Sequence, residues 1–166
     1  MQQQIATGRR NTYHHGDLRR ALIDAALRLI AAEGAGSFTL REVARRARVS
    51  HAAPYRHFPD KMALLAAVAE EGFRALRERL LAVGAGLSSE PLRHLQTLGV
   101  EYVRFAVEHP AHFQVMFGSG MIDPLAYPAV HEVSQGTFHL LVQAMVAGQR
   151  MHAVRSGAPP ALALIA

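Results

Sequence analysis

Between Val49 and Leu65 the chain reads VSHAAPYRHFPDKMALL. Tyr55, Arg56, His57 and Lys61 put a phenol, two cations and an imidazole within seven residues, all of them donors that suit phosphate oxygens. Just ahead of them, His51, Ala52 and Ala53 join one polar ring to two side chains small enough for a backbone to approach base edges. The alanine methyls can touch thymine methyls there. Small residues at the reading end and donors toward the sugar-phosphate rails are what a short helix in a DNA major groove requires. Pro54 is tolerable only near the start of such a helix, because in an interior it costs about 3 kcal/mol.

The elements around this stretch must then hold it. From Asp17, the residues Leu18, Ala21, Leu22, Ala25, Ala26 and Leu29 recur at helical spacing, and Gly34 follows as a stop. Thr39 stands three residues before Glu42, the spacing of a capping box, which predicts a second helix over about 40–47. Ser50 is placed to cap a third helix after a turn of about three residues. FPD ends that helix before a long fourth one, roughly Lys61 to Val83. Helix, tight turn, helix is a DNA-reading arrangement. GAGLSSEP, from Gly84 to Pro91, reads as a linker. Beyond it the pattern predicts a fifth helix over 92–108 broken at Pro110, a short sixth in PAHFQVMFGSG, and a long apolar seventh over 129–151.

Charge divides along the same line. Residues 1–82 carry 14 Lys and Arg against 8 Asp and Glu, whereas 83–166 carry 4 against 5, out of a net charge of +5. The first half is suited to a polyanion and the second to a core or an apolar pocket. With 166 residues, half of them apolar, the chain can bury a core. The absence of cysteine excludes a disulfide framework, thiolate metal sites and cysteine catalysis. Neither the N-terminal sequence nor any apolar run supports secretion or membrane spanning, so a cytoplasmic protein associated with the nucleoid is expected.

GDLRRALIDAALRLIAAEG, FTLREVARRARVS and YRHFPDKMALL together resemble the tetracycline-repressor (TetR) family of bacterial transcription regulators over residues 16 to about 83. The stretch EYVRFAVEHPAHFQVMF is similar to one subclass of that family's ligand-binding and dimerising domain. The resemblance implies that Thr39 and Arg41 lie where the second helix meets backbone and groove edge. It puts His51, Ala52 and Ala53 on recognition-helix positions and Tyr55, Arg56, His57 and Lys61 on the phosphate side, with Arg48 and Ser50 also among the DNA-binding candidates. It further implies a homodimer on a palindromic double-stranded DNA operator and an unidentified small-molecule effector.

The sequence departs from the family pattern in three places. Arg48 occupies the turn position usual for glycine; a positive φ there would cost roughly 1 kcal/mol, while the extra cation can grip phosphate. Ala52 and Ala53 offer few hydrogen bonds, which leaves base preference to His51, Arg41 and DNA shape. The end, APPALALIA, reads as the opening turns of an eighth helix, so the C-terminal domain is expected to be incomplete.

The histidine pairs His14–His15 and His109–His112 lack a companion carboxylate set on one helix face, and no metal or cofactor is expected. Tyr102, Phe105, His109, Phe113, Met116, Phe117, Met121, Tyr127, Phe138 and Met145 include the candidates for an effector pocket. At helical spacing most such residues pack instead, and about a third are expected to touch a ligand. No nucleophile triad, carboxylate pair or phosphate-cradling glycine loop supports catalysis. The expected protein is all-α: a basic arm over 1–15, a helix-turn-helix domain over 16–62 whose fourth helix continues to about 83, and a helical ligand-binding and dimerisation domain over 84–166. Its expected role is ligand-responsive repression. A ligand-independent architectural DNA-binding protein is the alternative.

Overall fold

The computed structural model describes residues 15–85, 90–118, 122–123 and 125–152, with side chains from Leu18 onward. The expected N-terminal arm, Met121 and the APPALALIA segment lie outside the described residues. Within them the chain forms six α-helices and one 3₁₀ turn: α1 (His15–Glu33), α2 (Leu40–Arg46), the 3₁₀ turn (Pro54–Arg56), α3 (Lys61–Gly84), α4 (Pro91–Glu108), α5 (Pro110–Phe117) and α6 (Pro128–Arg150).

Each boundary has a local cause. α1 buries Leu22, Ile23, Ala25, Ala26, Leu29 and Ile30, the apolar stripe read from the sequence widened by Ile23 and Ile30, while Leu18 and Ala21 at its start are only partly buried. It stops at Gly34, whose φ of 85° lets its amide close on the Ile30 carbonyl at 2.9 Å. The α2 capping box is present: Thr39 Oγ1 accepts from the Glu42 amide at 3.3 Å, and the Thr39 amide donates to Glu42 Oε2 at 2.7 Å. Asp60 caps α3 by accepting from the Ala63 amide at 2.8 Å. Pro91, Pro110 and Pro128 open α4, α5 and α6, where a missing amide proton costs nothing.

The third helix differs from expectation. Ser50 makes no side-chain cap, and the helical element begins only at Pro54 as a 3₁₀ turn. Pro54 has no amide proton to give the Ser50 carbonyl, which accepts instead from Ala53 at 2.9 Å, three residues on. His51 and Ala52 therefore sit in a turn rather than in the first turn of an α-helix.

α3 is the spine, packing against α4, α5 and α6. One buried cluster joins α1, α2, Phe58 and the first half of α3 to Val115 of α5 and Val130 of α6. A smaller one, Leu76, Leu80, Leu98, Phe105 and Ala144, sits farther along α3. The head thus shares a buried core with the second half. Thr137, buried in α6, donates to the Val133 carbonyl at 2.7 Å and lies 3.3 Å from that of Phe73 on α3.

Candidate nucleic-acid interface and apolar cleft

The turn between α2 and the 3₁₀ segment is closed by its own backbone. Arg48 has φ 58°, as its place in the turn requires. Its amide bonds the Arg45 carbonyl at 3.1 Å and the next amide, of Val49, bonds that of Ala44 at 3.0 Å. These two bonds form a Schellman end, and Val49 packs on the head core to complete it. Most L-residues avoid this conformation, so an arginine here stores strain in exchange for a guanidinium at the corner of the turn.

Around this corner Thr39, Arg41, Arg45, Arg46, Arg48, Ser50, His51, Ala52, Tyr55 and Arg56 are all exposed, while Ala53 and His57 are half-buried. The Tyr55 side chain, 53% accessible, is a large apolar ring left in solvent beside buried Pro54 and Phe58. Such an exposed aromatic with a hydroxyl suits a sugar-phosphate surface. Arg28, Arg45, Arg46 and Arg48 also line one surface depression with Leu29, Glu33 and Glu42. Arg28, Arg45 and Arg46 were not among the sequence candidates; the run REVARRARVS carried the signal for two of them. Lys61 is less free than expected. It is half-buried, donates to the Gly36 carbonyl at 2.8 Å and sits 4.4 Å over the Phe38 ring. Burial lowers its pKa, with Glu42 opposing.

The aromatic residues of the second half pack mainly on one another. Phe113 and Phe117 lie 4.5 Å apart, Tyr102 is 5.6 Å from Phe113, and Phe117 is 6.0 Å from Phe138, between ring centroids. Phe105 is fully buried. Among the pocket candidates, Met116, Phe117 and Phe138 line a cleft of about 250 Å³ between α3, α5 and α6, with Phe73, Val130, His131 and Ser134. Tyr127 lines a separate groove beside Phe58 and Ala63. Tyr102, Phe105, Phe113 and Met145 line neither. Burial raises the pKa of the Tyr102 hydroxyl, as expected of a packed ring.

His109 belongs to a polar cluster that sequence spacing did not reveal. It ends α4 and precedes α5, with its ring 4.8 Å from that of Phe105 and 3.1 Å from Arg79 Nη2. Arg79 also pairs with Glu108 at 2.6 Å and with the largely buried Glu101 at 3.3 Å, and Arg104 completes Glu101 at 3.1 Å. The guanidinium of Arg79 holds the Glu108 carboxyl below the usual range. Arg79 lies 22, 29 and 30 residues from Glu101, Glu108 and His109 and meets them only through α3–α4 packing. Among the described residues no three His, Asp or Glu side chains converge as a metal site, and no helix is long and apolar enough to cross a membrane.

Residues 22–68 match the family model described as bacterial regulatory proteins, tetR family, and residues 95–166 match the tetracyclin repressor-like C-terminal domain. The chain is similar to the HTH-type transcriptional regulator AcrR of Shigella flexneri, 31% identical over 91 residues that cover 55% of this chain and 42% of that protein. It is also similar to a solved protein of unknown function from Rhodococcus sp. RHA1, with 34% identity, a TM-score of 0.74, and coverage of 93% of this chain and 80% of that one. The fold is shared with AibR, solved with isovaleryl coenzyme A and operator DNA, at 18% identity and a TM-score of 0.75 over 89% of this chain and 82% of that one. The chain spans less than half the length of the AcrR relative.

Proposed function

The chain belongs to the TetR family of bacterial regulatory proteins, and on that premise we propose that it is a ligand-responsive transcription repressor. It binds a palindromic double-stranded DNA operator as a homodimer in the cytoplasm and is released by a small apolar molecule. The observation that carries this reading is the exposed corner at Arg48, where a strained arginine stands near exposed Tyr55 and Arg56 at a tight turn. In this reading His51, Ala52 and Ala53 face base edges. Thr39, Arg41, Arg48, Ser50, Tyr55, Arg56, His57 and Lys61 hold the backbone, with Arg45 and Arg46 beside them.

The cleft lined by Met116, Phe117 and Phe138 takes the effector. Occupancy must favour an arrangement in which two heads no longer fit successive major grooves, about 34–36 Å apart. A genomic footprint of bound sites tests the reading. Discrete paired half-sites, with affinity lowered by a compound handled by the neighbouring genes, support it. Dispersed binding indifferent to every such compound would indicate an architectural protein instead.

A further inference from the structure

α1 and α5 are held to one residue of the spine. Glu71 Oε2 accepts from Arg20 of α1 at 2.8 Å, while Glu71 Oε1 lies 3.3 Å from His112 Nε2 of α5. Arg20 also pairs with Asp24 at 2.9 Å, one turn along α1. His112 is largely buried, and that burial lowers its pKa against the opposing pull of Glu71. A neutral ring with its proton on Nε2 donates to the carboxylate.

The neighbouring residue makes this contact sensitive to α5. A Cβ built on Gly72 would lie 2.5 Å from Met116 Sδ and 3.2 Å from His112 Cβ, so α5 rests on α3 with no slack at this point. Met116 and His112 stand one helical turn apart on α5 and press on the same glycine. Met116 also lines the apolar cleft, and His112 holds Glu71. A molecule in the cleft that displaces α5 through Met116 shifts His112 on the same helix.

We infer that Glu71 is the positioning residue that couples the cleft to the DNA-reading head: displacement of α5 withdraws His112 from Glu71 and loosens the hold of Glu71 on Arg20 of α1. The inference rests on the reading of the cleft as the effector site. Its test uses no effector, so failure here would leave that reading intact.

Amide hydrogen exchange in α1 is compared in the full chain for Met116→Ala, Arg20→Gln and the double variant. Each single substitution should speed exchange over residues 20–26 by about threefold or more. The double variant should exchange no faster than the faster single, because both break one path. Arg20 is exposed, so its variant should keep the fold. Should Met116→Ala unfold, His112→Ala takes its place, with His112→Gln expected to restore slow exchange by supplying a donor. Effects that multiply in the double variant, or an α1 indifferent to α5 substitution, would overturn the assignment and leave direct α1–α5 packing as the connection.

Discussion

The Lys61 ammonium lies 4.4 Å over the Phe38 ring and donates to the Gly36 carbonyl, so one side chain ties the start of α3 to the loop before α2. Its charge serves the fold as well as any phosphate. Lys61→Ala should therefore weaken binding to every DNA sequence, reduce the salt slope by about one, and lower the melting temperature. Lys61→Met, which keeps a long stem over Phe38, should recover part of the melting temperature but none of the slope. Salt titrations of binding, paired with thermal melts, separate the two roles.

Thr39 and Glu42 form the capping box predicted from their spacing. Thr39→Ala should cost about 1 kcal/mol of stability. The Thr39 bonds lower the pKa of Glu42, so its contribution is present above the unfolded carboxylate pKa and is lost as pH falls through the folded one. Urea denaturation of Thr39→Ala and the parent should thus differ more at neutral pH than in acid, where only the lost acceptor for the Glu42 amide still separates them.

Arg48→Gly should separate stability from function. Relief of the positive φ should stabilise the fold by about 1 kcal/mol, while loss of the guanidinium should weaken DNA binding and flatten its salt dependence. Denaturant midpoints rising together with dissociation constants would be the expected pair of results. A variant less stable than the parent would mean that the turn tolerates arginine without strain.

Gly72→Ala should destabilise by about 1–3 kcal/mol, because the new methyl meets Met116 and His112. Combining it with Met116→Ala should recover part of that loss. A double-mutant cycle by calorimetry reads the coupling.

Local punctuation was legible in the sequence: the Thr39 cap, the stop at Gly34 and the turn position of Arg48 are all decided within a few residues. Pro54 was legible as an early-helix residue, yet its consequence was larger than one lost bond. It turned the segment into a 3₁₀ turn because the Ser50 carbonyl took the nearer amide of Ala53. The aromatic set could not be divided by spacing, since Phe113 and Phe117 share helical periodicity while only Phe117 lines the cleft. Arg79 with Glu101, and Arg20 with Glu71 and His112, were not legible at all. Charges on separate helices meet through packing that no local pattern encodes.

Operator binding is assigned to the exposed corner of the head. Protection footprinting on the sites found in the genome, with the parent and a Tyr55→Ala, Arg56→Ala double variant, measures it. The expected result is protection of two half-sites centred about 34–36 Å apart by the parent, and loss of that protection in a variant that melts as the parent does. Undiminished protection by the variant would place the DNA contact elsewhere and contradict the assignment of this corner.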